Sequence, residues 1–169
     1  YSQDNGVEES RHVYLQGNGL PQRWQRHSRN HFCIGETGFG TGLNFLVTWQ
    51  AWRESPDPRP DLHYLSIEKH PLTRQDLARD LNGWPALATL AQPLLAAYPA
   101  LLAGQHRVLL DDGRVRLDLW WEDAASALPD LASRAQPLVD AWYLDGFSPS
   151  CNPSMWTTQL LQAAATLCR

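Results

Sequence analysis

Nothing in the 169-residue sequence approaches the ~20 consecutive apolar residues that a membrane-spanning helix needs, and no secretory leader opens it. A membrane is therefore not an expected partner. Cysteine is scarce: Cys33, Cys151 and Cys168 are an odd number at wide spacing. That excludes a CxxC metal site and points to free thiols in a reducing, cytoplasmic setting. Positive charge is also short, with a formal net charge of -4, so the electrostatic footprint of a basic nucleic-acid-binding domain is missing. An RNA partner would have to be held by a local patch or by another domain. The six histidines, His12, His27, His31, His63, His70 and His106, lie too far apart for a close ligand set, and no metal site is expected. Internal repeats and low-complexity tracts are absent. The chain opens at Tyr1 rather than Met, and its native start is expected upstream.

What is present is a domain-sized chain of ordinary hydrophobic content, 43%, with eight tryptophans. Aromatics in such excess are either core or the lining of a pocket for a flat ligand, and core is favoured. Short apolar runs at residues 31–36, 62–68 and 139–144 read as buried strands, and 107–110 and 114–120 as a hairpin about Asp112-Gly113. Helical stripes run over residues 43–53, 73–82, 86–98 and 124–131, with a turn at Gly83-Trp84-Pro85 before the third. Thr73 with Asp76 forms a capping box, and Asp123 caps the fourth helix. A last helix over 155–167 is expected, with Asn152 and Pro153 at its cap and first position. Strands alternating with helices imply an α/β fold, a parallel open sheet covered on both faces. Its ligands would lie beyond the carboxyl ends of the strands.

Four strand-to-helix junctions carry the chemistry. The first is Glu36-Thr37-Gly38-Phe39-Gly40-Thr41-Gly42. Three alternating glycines let the backbone turn sharply and approach a ligand. A dinucleotide fingerprint would want glycine where Leu43 stands, and a P-loop would want a lysine that the loop lacks. Glu36 would repel a pyrophosphate but attract an ammonium, which favours S-adenosylmethionine, a phosphate-free cation. At the second junction, Glu68 ends a strand where it can accept both ribose hydroxyls, or else pair with Lys69 or Arg74. At the third, Asp123, followed by Ala124, can accept the adenine amino group, serve as a helix cap, or do both. The fourth, Asp145-Gly146-Phe147-Ser148-Pro149, sits where a methyl acceptor would enter. There Asp145 can orient an amine and Phe147 can face its cationic character, unless the segment is only a turn.

The runs GETGFGTGLNFLVTWQAW, SIEKHPLTRQDLA, HRVLLDDGRVRLDLWWED and AWYLDGFSPSCNPSMW closely resemble the N-terminal methyltransferase domain of the bifunctional tRNA 5-methylaminomethyl-2-thiouridine biosynthesis (MnmC) family. DNGVEESRHVYL near the start resembles that family's opening segment. The resemblance implies a class I S-adenosylmethionine-dependent methyltransferase fold, Rossmann-like. It also implies methyl transfer to the aminomethyl group on the wobble uridine of tRNA. On this reading residues 1–30 lead in near the substrate side and residues 31–169 form the methyltransferase domain. The cofactor positions carried over are Glu36, Gly38, Gly40, Gly42, Asn44, Glu68, Lys69 and Asp123, with Phe39, Thr41 and Ala124 beside them. The catalytic positions are Asp145 and Phe147, with Gly146 and Pro149 on the substrate. The chain ends at Arg169, where the family continues into its last strands, and an FAD oxidase domain is not in it, whether fused or separate in the parent protein. The competing readings are an N-methyltransferase for a small amine and a non-catalytic nucleoside-binding domain. A dehydrogenase is further off, given the absent glycine.

Overall fold

The computed structural model describes residues 3–145 and 153–169, with side chains over 6–145 and 155–169. The described strands form one sheet in the order β3-β4-β2-β1-β5. They are β1 (His31–Thr37), β2 (Asp61–Glu68), β3 (Gly104–Leu110), β4 (Val115–Trp121) and β5 (Ala141–Leu144). β1 pairs in parallel with β2 and β5, and β2 with β4. β3 forms with β4 the hairpin expected about Asp112-Gly113. It is antiparallel to β4, because a hairpin connection leaves no room for a crossover. Its turn, Asp111–Gly113, is a 3-10 turn with Asp111 and Asp112 at positive φ.

The helices are α1 (Gln3–Ser10), α2 (Gln22–Gln25), α3 (Leu43–Glu54), α4 (Arg74–Leu81), α5 (Ala88–Ala97), α6 (Ala124–Arg134) and α7 (Thr158–Leu167). Side chains alternate across β1 and β2 and so feed two cores. Phe32, Ile34, Leu62 and Tyr64 meet Phe45, Trp49 and Trp52 of α3 and Leu77 of α4 on one face. Cys33, Leu65 and Ile67 meet Ala127 and Leu128 of α6 and Leu160 and Leu167 of α7 on the other. Trp24, Trp49, Trp52 and Trp121 are all buried, so these four tryptophans are core. At β1 the lack of a side chain is itself structural: a Cβ on Gly35 would stand 2.6 Å from the ring of Trp142, its neighbour across the β1–β5 ladder.

The caps read from sequence are formed at two helices. Thr73 accepts from the Asp76 amide, and Asp123 accepts from that of Ala125. The last helix is different. Residues Pro153–Trp156 make a 3-10 turn, and α7 starts only at Thr158. Its cap is Thr157, whose hydroxyl accepts from the Leu160 amide, while Asn152 lies outside the described residues. The strand expected from Val139 begins instead at Ala141, and Val139 bridges to Cys168. Among the described residues no helix is long and apolar enough to cross a membrane.

Ahead of the sheet, α1 runs into a π-helical turn, Arg11–Gln16, and this leading segment lies across α3. The Arg11 guanidinium donates to Gln50 at 2.9 Å, and Tyr14 packs on Tyr143 with ring centroids 4.8 Å apart. One wall of the cleft at the carboxyl end of the sheet is built this way.

Candidate active site

Four of the parallel strands' carboxyl ends converge. Thr37 is in register with Ile67 and Leu144, and Glu68 with Trp121. The chain leaves β1 toward β2 on one side and later returns to place β5 on the other. The crevice between β1 and β5 is therefore the switch point at which open α/β sheets bind ligands.

The glycine loop after β1 is shaped by backbone that side chains rarely allow: Gly38, Gly40 and Gly42 have φ of 94, 52 and 72°. They are not equivalent. A Cβ on Gly38 would strike the Asp145 carbonyl, and one on Gly42 would stand 2.8 Å from the Phe39 ring. A Cβ on Gly40 would project into open space, with no heavy atom within 4 Å. The tight turn thus explains Gly38 and Gly42, whereas Gly40 leaves room above the loop that internal packing does not use. The Phe39 ring is buried among Phe45, Tyr98 and Trp121, so this residue offers the crevice its main chain only. Thr41 is half-buried, and Ala124, the first residue of α6, is packed into the core.

Glu36 does not face the crevice directly. It is 1% exposed, one carboxylate oxygen accepting from the Ser66 hydroxyl at 2.7 Å and the other from the Asn44 amide at 3.1 Å. Burial pushes its carboxyl up to about 8, opposed by those two hydrogen bonds and reinforced by the charge of Asp145. The same Asn44 NH2 donates to Asp145 at 2.6 Å, while Asn44 Oδ1 accepts from the Ser10 hydroxyl at 2.7 Å. One amide on α3 therefore ties the end of β1, the end of β5 and the leading segment together. Beside it Tyr14 and Asp145 line the same cleft. Burial, with that carboxylate next to it, raises the phenol well above its ordinary range, so it stays protonated. A cleft of about 240 Å³ opens here, lined by Glu9, Ser10, Val13, Tyr14, Asn44 and Asp145 among others.

Glu68 is half-buried and bends over the loop, accepting from the Gly40 amide at 3.0 Å and the His70 amide at 2.7 Å. The pairing with Lys69 or Arg74 that the sequence allowed is not made. Lys69 instead meets Asp123 at 2.8 Å, and Arg74 donates to the Leu95 carbonyl at 2.6 Å. Asp123 serves both this ion pair and the cap of α6, which lowers its carboxyl. Phe147, Gly146 and Pro149 lie outside the described residues, as does Cys151, while Cys33 and Cys168 are free thiols. No group of three or more potential metal ligands occurs among the described residues.

Ser10, Tyr14 and Ser66 escaped the sequence reading. Ser66 left a faint signal, a hydroxyl inside an apolar strand. Ser10 and Tyr14 lie in the opening segment that the family resemblance sets near the substrate side, but nothing local singles them out or says that the segment reaches α3.

An open glycine loop with the carboxylates of Glu68, Asp123 and Asp145 around it, and Glu36 buried behind them, suits a nucleoside that carries positive charge and no phosphate. The fold and crevice together define a nucleoside-binding α/β enzyme of the methyl-transferring kind. Residues 85–169 match the S-adenosyl-L-methionine-dependent methyltransferase family, and the chain belongs to it; its cofactor is S-adenosylmethionine. The particular relatives are bifunctional proteins. A protein of Aeromonas hydrophila, named tRNA 5-methylaminomethyl-2-thiouridine biosynthesis bifunctional protein MnmC, is 52% identical over 100% of this chain and 26% of its own length. Its namesake from Aliivibrio fischeri is 47% identical over the same shares. The chain thus spans about a quarter of the length of the curated relatives it matches. Among solved structures, MNMC2 from Aquifex aeolicus superposes with a TM-score of 0.71 at 20% identity, over 96% of this chain and 47% of that one, a likeness of fold.

Proposed function

We propose that the chain transfers a methyl group from S-adenosylmethionine to the 5-aminomethyl group on the wobble uridine of tRNA, within a protein that also carries an FAD-dependent oxidase, in the cytoplasm. The observation that carries this is the similarity of this whole chain to a quarter of the bifunctional relatives, joined to a cleft in which a carboxylate, Asp145, stands beside the open glycine loop.

The cofactor supplies an electrophilic methyl group; the protein's own residues supply position. The main chain of residues 38–42 would lie under it, Glu68 would take the ribose hydroxyls and Asp123 the adenine amino group. Both acids keep acceptor capacity for this, since each carboxylate oxygen of Glu68 and of Asp123 holds one partner and can accept a second. The acceptor amine enters beside Tyr14 and donates an N–H to Asp145, which aims its lone pair at the reacting carbon. The methylated product remains basic, so its extra proton can leave to water after transfer and orientation is the larger share of the catalysis. Phe147, with Gly146 and Pro149, is assigned to the acceptor on the family resemblance. With a net charge of -4 the chain relies on a local patch or on the rest of its protein to grip RNA.

The experiment is a methyl-transfer assay with labelled S-adenosylmethionine and the full-length protein. It is offered tRNA bearing the aminomethyl uridine and, separately, small primary amines. Label in the tRNA is the expected result, and label only in the small amines overturns the proposal.

A further inference from the structure

We infer that Ser10 is a positioning residue for methyl transfer, its hydroxyl holding the Asn44 amide so that the amide in turn holds Asp145 at the acceptor cleft. The inference deepens the proposed function and rests on its reading of Asp145 as the acid that meets the acceptor.

The argument is one of hydrogen-bond accounting. Asn44 is 8% exposed and its amide has three polar partners in place: Ser10 on Oδ1, and Glu36 and Asp145 on the NH2 group. Ser10 is itself 4% exposed, and among the described residues Asn44 Oδ1 has no other donor. Removing the hydroxyl leaves a buried carbonyl without a partner, which is costly enough to turn the side chain toward water. Turned, the amide withdraws both N–H bonds, and two carboxyl groups on different strands lose their common tether. A flipped amide is no remedy, since Oδ1 would then stand against Asp145 at the 2.6 Å now spanned by an N–H bond. Ser10 belongs to the leading segment that walls the cleft, so docking of that segment and orientation of Asp145 are one event.

Glu36 gives a readout that packing alone would not move. The groups facing it are Asn44 from α3, Ser66 and Tyr64 from β2, Tyr143 and Asp145 from β5, and Tyr14 from the leading segment. Burial keeps the three tyrosines protonated, and the Asn44 amide is one of the bonds that favour the ionised form of Glu36. Loosening that amide raises the pH at which Glu36 ionises.

The test compares Ser10→Ala and Ser10→Thr with wild type in the full-length protein, with two measurements. The first is turnover and apparent KM on tRNA bearing the aminomethyl uridine. The second is the affinity for S-adenosylhomocysteine across pH, whose break reports Glu36 without needing an acceptor. Ser10→Ala is expected to lower kcat by about ten-fold with the cofactor KM little changed, since one buried hydrogen bond is at stake. It should also move the affinity break upward by about half a pH unit. Ser10→Thr, which keeps the hydroxyl, should recover most of both. Wild-type values for Ser10→Ala overturn the inference, and so does a fall in kcat shared by both variants with the break unmoved. If wild type leaves the tRNA unlabelled, the proposed function fails on its own. The displaced break, or its absence, still decides the role of Ser10.

Discussion

Gly38 and Asp145 stand so close that a Cβ on the first would lie 2.5 Å from the carbonyl oxygen of the second. The start of the glycine loop and the end of β5 are thereby locked in van der Waals contact. Gly38 also sits at φ 94° while its amide donates to the Ile67 carbonyl at 2.8 Å. Gly38→Ala must push the β1 and β5 termini apart. The expected outcome is a loss of about 1–3 kcal/mol of stability together with weaker S-adenosylhomocysteine binding. Thermal melts and calorimetry that match wild type would contradict the contact.

Gly40 separates binding from folding. Its Cβ direction is empty, so Gly40→Val disturbs no packed neighbour, and the strain of a side chain at φ 52° costs about 1–2 kcal/mol. Cofactor affinity is expected to fall much further than stability, by ten-fold or more (about 1.4 kcal/mol of binding). Undiminished affinity by calorimetry would remove the loop from the cofactor site.

Asp145→Ala should divide turnover from cofactor binding. The carboxylate is exposed at the cleft beside Tyr14 and tethered by Asn44, a placement suited to orienting an incoming amine. Turnover is expected to drop by about 100-fold or more while S-adenosylhomocysteine affinity changes by less than about five-fold. Equal losses in steady-state kinetics and binding would make the residue structural.

Glu36 couples stability to pH. Its carboxyl, ordinarily near 4.5, is pushed up to about 8 chiefly by burial. Between those values the unfolded chain has released a proton that the folded chain retains, so stability falls as pH rises through this window. The contribution is complete below the lower value and lost above the upper one, at a slope of at most about 1.4 kcal/mol per pH unit. Glu36→Gln should flatten that slope in urea titrations run from about pH 5 to about pH 8. A slope as steep as that of wild type would place the titrating group elsewhere.

Much of the scaffold was legible in local sequence. Short apolar runs in HFCIGE and LHYLSIE marked β1 and β2, and Thr73 and Asp123 announced helix starts that the structure forms. These features depend on neighbours a few residues apart, where backbone sterics and hydrophobic period act directly. What only the tertiary structure decided is partnership across distance. Asn44 bridges Asp145, Glu36 and Ser10; Lys69 turns to Asp123 instead of Glu68; Phe39 swings into the core; and α7 is capped by Thr157. A carboxylate, an amide or a hydroxyl can satisfy itself in many ways, and sequence spacing does not rank them. The choice is made by strand register and by which helix face lands over which strand end, because only there do buried polar groups find donors at bonding distance.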